Sequence, residues 1–180
     1  MFLLGYNFQA IMVVISATGL LLSIIGGIFA LLQWRQNTAL KRAEIIKQIV
    51  DMLRYDKEMA KMTYDVEYDR FKYTHGFHED TELEQKVDGL LSALDYACYL
   101  RSNGVLHKNE FTILEYRIVR IASRYDIQAY LWNLHQFAKV NGVRCSFQYL
   151  IDFGIRNRLF PSDFESDTCH HFKTKKFLNF

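Results

Sequence analysis

Between Phe8 and Trp34 the chain carries no charged side chain, and residues 10–32 are almost all apolar. An α-helix rises about 1.5 Å per residue, so this apolar run would cover about 35 Å as a helix. The hydrocarbon core of a bilayer is about 30 Å thick. We therefore predict one transmembrane helix over residues 8–34, which can span the core with some tilt.

A signal peptide and a buried core helix are the two alternatives to a retained anchor. Signal peptides have a basic first region, a shorter apolar run and a small-residue cleavage site. Residues 1–34 contain no Lys or Arg, and Arg35 follows the apolar run directly. A core helix with no polar face would be unusual in a protein of 180 residues. We expect residues 1–34 to remain as a membrane anchor.

The two flanks of the apolar run differ in charge. Only the N-terminal amine precedes it, whereas four cations and one acid, Glu44, follow it within residues 35–47. The positive-inside rule then predicts that the N-terminus lies outside and that residues 35–180 lie in the cytoplasm. The residues predicted to contact the membrane surface are Trp34, Arg35, Lys41, Arg42 and Lys47.

Small residues recur along the predicted span. Gly19, Ser23 and Gly27 are spaced four apart, and Gly26 and Ala30 form a second pair at the same spacing. This spacing places small side chains on one helix face, where a second helix can approach closely. We predict homo-oligomers formed through this face; the alternative is that small residues are simply common in membrane spans.

About 145 residues follow the predicted anchor, which corresponds to about one domain. Residues 1–34 carry no formal charge, so the whole net charge of +2 lies in residues 35–180. So small an excess of cations argues against a nucleic-acid partner, because nucleic-acid surfaces are strongly basic. The three cysteines stand far apart without a Cys-x-x-Cys motif, which favours reduced thiols in the cytoplasm.

Apolar residues recur at helical spacing through most of residues 35–160. This pattern predicts an all-α fold, in which the anchor is followed by a cytoplasmic bundle of about five helices. The anchor helix either continues past Trp34 or breaks at Asn37–Thr38. Residues 161–180 are predicted to form a flexible basic tail. Expected helix starts are Asp56, Thr81, Asn109, Asp126 and Ser146, and expected ends are Gly104 and Gly142.

The chemical motifs offer little support for catalysis. The metal candidates are His75 and His78, which share a loop with Glu79 and Asp80, but their spacing matches no zinc pattern. Cys98 continues the apolar stripe of a helix, which indicates a core residue and not a nucleophile. The sequence contains no GxSxG, GxGxxG, Walker A or HExxH motif. We therefore predict a protein without a cofactor, a bound metal or an enzymatic activity.

Three arginines, Arg117, Arg120 and Arg124, share one side of a predicted helix. Such a stripe can bind an anion or a partner protein. A solvated helix face is the alternative interpretation.

The stretches QWRQNTALKRAEIIKQIVDML and YDVEYDRFKY follow the uncharged span. With a late Phe-rich helix, this pattern resembles small bacterial single-pass proteins with a DUF4760-like helical domain. The local signature of that resemblance consists of Trp34, Arg35, Asn37, Ala39, Arg42 and Ala43. The resemblance implies a bacterial inner-membrane protein and an association with phage-defence modules, in which a small membrane protein acts as an effector. It supplies no catalytic residue.

Three functions remain open at this stage. The first is an oligomeric, non-enzymatic membrane protein whose cytoplasmic part binds a partner or signal and which acts at the bilayer, as an antiphage effector would. The second is a passive scaffold that tethers a cytoplasmic protein. The third is a metal-dependent enzyme that uses the His75 and His78 loop.

Overall fold

The computed structural model describes the backbone of residues 2–178 and the side chains of residues 12–178. Over these residues the chain is helical and contains no strand, which confirms the all-α prediction. The α-helices are α1 (Phe2–Tyr55), α2 (Lys57–Glu67), α3 (Thr81–Ser102), α4 (Lys108–Ala122), α5 (Tyr125–Val140) and α6 (Gln148–Arg156). Two short 3₁₀ turns cover His75–Glu79 and Lys173–Lys175.

The chain divides into two compact units, Met1–Ala43 and Glu44–Phe180. The second unit begins inside α1, because this helix runs without a break to Tyr55. At the proposed break the Thr38 hydroxyl donates to the Trp34 carbonyl oxygen at 2.7 Å, as a residue inside a helix does. The predicted boundary after Trp34 therefore differs from the observed one by nine residues along the same helix.

The second unit is built around α3. Its Val87, Leu90, Leu91 and Leu94 have no exposed surface, and α3 packs against α2, α4 and α6. The last turns of α1 complete this core with the buried side chains of Ile46, Ile49 and Leu53. Burial of these side chains supplies the main driving force for folding of the unit.

The observed helix starts agree only in part with those predicted from the sequence. Asp56 is the N-cap of α2, as predicted, and its carboxylate accepts from the Met59 backbone N–H at 2.9 Å. The N-cap of α3 is Asp80 and not Thr81, since the Asp80 carboxylate accepts from the Leu83 N–H at 3.1 Å. The Asp80 carboxylate, directly before the helix, reaches that donor, which leaves Thr81 as the first helical residue.

The other three predicted starts are wrong by one to two residues. Asn109 and Asp126 lie inside the first turns of α4 and α5, and Ser146 lies before the N-cap of α6, Phe147. The cap of α6 comes from another helix, because Asp95 on α3 accepts from the Leu150 N–H at 2.8 Å. A cap supplied by tertiary packing leaves no signal in the local sequence.

Residues 161–178 pack against the second unit, which corrects the prediction of a flexible tail; residues 179 and 180 lie outside the described part. Phe164, Cys169 and Phe172 are at most 1% exposed. Side chains of α5 bind the backbone of this segment: Trp132 donates to the Ser166 carbonyl at 3.0 Å, and Asn133 donates to the Lys175 carbonyl at 2.8 Å. We call residues 159–178 the C-terminal strap.

Candidate functional site

The first candidate is the surface of α1. Every side chain from Met12 to Asn37 is exposed, including large apolar ones such as Leu22 (70%). By length and composition this helix can cross a membrane, and none of its most apolar window is buried. A core helix of a soluble protein would be buried, whereas a signal sequence near an N-terminus meets the same description. The side chains of residues 8–11, the start of the predicted span, lie outside the described part.

Two hydroxyl groups of this surface, those of Thr18 and Ser23, bond within the helix. Thr18 donates to the carbonyl oxygens of Val14 and Ile15, both at 2.9 Å, and Ser23 donates to the Gly19 carbonyl at 2.9 Å. Hydrocarbon offers no partner to a polar group, so a span must satisfy its own donors. The Thr18 and Ser23 side chains therefore fit an apolar environment without help from another molecule.

The glycines of α1 have open space around them. A Cβ atom added at Gly19, Gly26 or Gly27 would meet no atom within 4 Å. Glycine in a helix interior costs about 1 kcal/mol relative to alanine. Packing within the described chain gives no reason for this cost. Ser23 and Ala30, the other members of the predicted small-residue face, are exposed as well.

The basic flank of α1 is mostly free to meet solvent or lipid. Trp34 is 67% exposed, and the side chains of Arg35 and Lys41 are exposed too. Lys47 forms an ion pair with Asp51 one turn later at 3.1 Å, and Arg42 is partly buried. The five predicted membrane-surface residues thus lie at the end of the apolar run and on the turns of α1 that follow it, and all but Arg42 are exposed.

The predicted arginine stripe on α4 and the turn after it meets residues of α2 and its end. Arg117 lies 3.5 Å from the Glu67 carboxylate and 3.4 Å from the Leu53 carbonyl oxygen. Arg124 pairs with Asp69 at 2.8 Å and also donates to the Glu67 carbonyl oxygen. Two of the three guanidinium groups therefore hold α2 against α4, which leaves less charge for an external anion.

The third arginine of the stripe, Arg120, lies over two tyrosine rings. Its guanidinium carbon is 5.8 Å from the ring centroid of Tyr68 and 5.6 Å from that of Tyr116. Arg120 also donates to the Tyr116 hydroxyl at 2.9 Å, which raises the pKa of the guanidinium further above its usual range. Tyr68 and Tyr116 are 59% and 67% exposed, so this is the part of the stripe that a partner protein can reach.

The two loop histidines do not converge on one point. His75 packs its ring against Phe177, whereas His78 lies between Tyr73 (2.9 Å from Nε2) and Glu84 (2.7 Å from Nδ1). Within the described side chains no group of three or more His, Cys, Asp or Glu is arranged to hold a metal ion.

The line of Glu84, His78 and Tyr73 has the order of a proton relay. With the proton on Nδ1, His78 donates to the Glu84 carboxylate and accepts from the Tyr73 hydroxyl. Tyr73 is completely buried, and this burial followed by the charge of Glu84 raises the pKa of its phenol well above the usual range. A protonated hydroxyl without solvent access ties the loop to α3 and offers no nucleophile to a substrate.

All three cysteines are buried and unpaired. Burial, with a smaller contribution from Asp95, raises the pKa of the Cys98 thiol to about 12. This result agrees with the interpretation of Cys98 as a core residue, because a protonated thiol is a poor nucleophile.

No family model, curated protein or solved structure matches this chain. The DUF4760-like resemblance and the phage-defence association therefore stay predictions.

Proposed function

We propose that this chain is a single-pass membrane protein that holds a helical, partner-binding unit at the membrane. The observation that supports it most strongly is the exposed apolar surface of α1 from Met12 to Leu32. In water so large an apolar surface would favour aggregation, and a bilayer removes it from water. In residues 44–178 most of the large apolar side chains are buried.

Topology is the second step of the proposal. The apolar run ends at Trp34, and Arg35 and Lys41 follow on the next turns. Positive flanking residues are retained on the cytoplasmic side. The unit from Glu44 onward is then cytoplasmic, where its buried cysteines remain thiols.

Self-association through the small-residue face is the third step. Glycine weakens a helix, and the space around Gly19 and Gly27 is open in the single chain. A second copy of α1 could use that space, since close helix approach at small residues stabilises dimers in lipid. Oligomers would present several copies of the partner-binding unit at one place.

Membrane retention tests the anchor directly. An arginine at the centre of a span costs about 2.5 to 3.5 kcal/mol on the insertion scale. We expect the Ile24→Arg variant to lose much of its membrane fraction after alkaline extraction, whereas Leu40→Arg, beyond the run, should extract like the parent chain. N-terminal sequencing of the membrane-bound protein distinguishes a retained anchor from a cleaved signal sequence, because cleavage would leave a chain that begins after residue 20.

Oligomer size tests the third step. Gly19→Ile combined with Gly27→Ile places branched side chains on the predicted face, and we expect a smaller oligomer in cross-linking and in light scattering. Ala17→Ile adds a branched side chain outside the predicted small-residue face and serves as the control. Equal cross-linking of all three chains would remove the small-residue face from the proposal.

An effect on the bilayer is the second candidate function, because oligomers formed at the open α1 glycines would bring several spans together in the bilayer. A potential-sensitive dye during induced expression distinguishes the two functions. Depolarisation that the Gly19→Ile and Gly27→Ile double variant loses would support a membrane-acting effector. If an unrelated span replaces residues 8–34 without loss of cellular function, the protein is a scaffold.

A further inference from the structure

An open cleft of about 420 Å³ lies between three helices of the second unit. The last turns of α3 and α6 form two of its walls, and the first turns of α4 form the third. Its floor is apolar, because Cys98, Phe111 and Phe153 are all at most 7% exposed. The two rings meet edge to face with centroids 5.7 Å apart.

Three cations from three different helices line this cleft. They are Arg101 of α3, Lys108 of α4 and Arg156 of α6, and the lining also contains one carboxylate, Glu115. In the described part of the chain none of these four side chains takes part in an ion pair within 4.0 Å. The lining therefore keeps a formal charge of +2, three cations against one acid, that the protein does not neutralise locally.

Helix dipoles account for part of this arrangement. Arg101 and Arg156 lie in the last turns of their helices, where a cation is favourable, and the Arg156 Nε donates to the Asp152 carbonyl at 3.1 Å. Lys108 is the first residue of α4, where the same dipole disfavours a cation. Helix stability therefore gives no reason for the positive charge of Lys108 beside those of Arg101 and Arg156.

We propose that this cleft binds the phosphate group of a small phosphomonoester. A phosphate dianion matches the charge of the lining, and guanidinium groups bind phosphate oxygens in a bidentate manner. The volume is in the range of small-molecule sites and exceeds what a phosphate alone needs. The remainder of the ligand would lie toward Phe111 and Phe153.

An adjoining depression limits where the anion can lie. It shares Ser102 and Arg156 with the cleft but is also lined by Asp152 and Glu165. Two carboxylates on that side repel a phosphate, so the phosphate group belongs on the side of Arg101 and Lys108.

The test uses the full chain in detergent micelles and isothermal titration calorimetry at low salt. The probes are inorganic phosphate and adenosine 5′-monophosphate, with adenosine as the uncharged control. We expect both anions to bind, the nucleotide more tightly, and adenosine not to bind. Arg101→Gln and Lys108→Gln should each weaken nucleotide binding about tenfold, the effect of losing one charge-assisted hydrogen bond. Lys61→Gln, an exposed cation on α2, should change nothing.

Glu115→Gln is a variant for which we expect the opposite effect on nucleotide binding. It removes the one carboxylate of the cleft, so we expect nucleotide binding to strengthen a few-fold. The proposal is overturned if neither anion binds, if adenosine binds as well as the nucleotide, or if the cleft variants and Lys61→Gln behave alike. A short-chain phosphatidic acid, added as a competitor, shows whether the natural phosphomonoester is a lipid headgroup or a free molecule. If the lipid displaces bound nucleotide at a lower concentration than free nucleotide does, the site is assigned to a lipid headgroup. These outcomes do not depend on whether α1 anchors or associates in the membrane.

Discussion

Residues 12–37 and residues 44–178 use the same apolar side chains in opposite ways. In the first region Leu21 is 58% exposed, whereas in the second Leu94 has no exposed surface. The second region covers its apolar residues with its own helices. The first is exposed on all sides, and the bilayer that we propose for it would cover such a helix.

Polar groups show the same contrast. In the first region Thr18 and Ser23 bond to carbonyl groups in the preceding turn of their own helix. In the second, Asp126 accepts from the Tyr73 N–H at 3.0 Å and from Lys175 at 3.1 Å, across about 50 residues in either direction. The first region is therefore specified locally, and the second depends on tertiary contacts.

One substitution made in both regions tests this contrast. Leu94→Ala leaves a cavity in the core, and we expect the free energy of unfolding of the second unit to fall by about 2 to 5 kcal/mol. Leu21→Ala removes the same atoms from an exposed position and should leave that value unchanged. Denaturant unfolding followed by the fluorescence of the buried Trp132 measures both variants. Equal losses would show that residues 12–37 are covered by the chain itself.

The C-terminal strap offers the next largest effect. Asn133 is fully buried; it donates to the Lys175 carbonyl, and its side-chain oxygen accepts from the N–H groups of Phe177 (2.9 Å) and Leu178 (3.2 Å). Asn133→Ala leaves these backbone groups without partners, so we expect a loss of about 2 to 3 kcal/mol.

Limited proteolysis should then release the strap of the Asn133→Ala variant before the rest of the unit. Asn141→Ala is the matched control, because the Asn141 amide bonds only to the Phe137 carbonyl of its own helix. If the two variants are cleaved at the same rate, the strap is held by its buried rings and not by Asn133.

Features that depend on residue periodicity could be predicted from the sequence, whereas features that depend on tertiary contacts could not. The apolar run, the five helices after α1 and the glycine ends at Gly104 and Gly142 follow from residue type and spacing, and both glycines have positive φ values of 71° and 64°. The strap was missed because its order depends on α5 side chains that bond to its backbone. A sequence pattern carries no sign of such partners.

The candidate sites divide in the same way. Spacing predicts that Arg117, Arg120 and Arg124 share one side of a helix, but it does not reveal that Arg117 pairs with Glu67 and Arg124 with Asp69, at the end of α2. The cleft that we propose as a phosphate site was missed for the same reason, since its three cations come from three helices and share no spacing.

The end of α6 allows a smaller and sharper test of close packing. A Cβ atom added at Gly154 would lie closer than 3.0 Å to three carbons of the Phe160 ring, which is itself buried. We expect Gly154→Ala to lower the free energy of unfolding by about 1 to 3 kcal/mol through overpacking. Gly76→Ala, where a Cβ meets no atom within 4 Å, is the control. Addition of Phe160→Leu to Gly154→Ala should recover part of the loss; no recovery would place the strain elsewhere.

The smallest effect should be a gain in stability after α6. Arg158 has a φ of 55°, and its N–H donates to the Ile155 carbonyl at 3.1 Å, as a glycine does at the end of α3. A side chain in this left-handed conformation is strained, whereas glycine adopts it freely. We expect Arg158→Gly to raise the free energy of unfolding by about 0.5 to 1 kcal/mol. Arg158→Ala removes the charge but keeps the Cβ atom, so it should give little or no gain in the same denaturant titration. An equal gain from both variants would attribute the effect to the arginine side chain and not to the backbone.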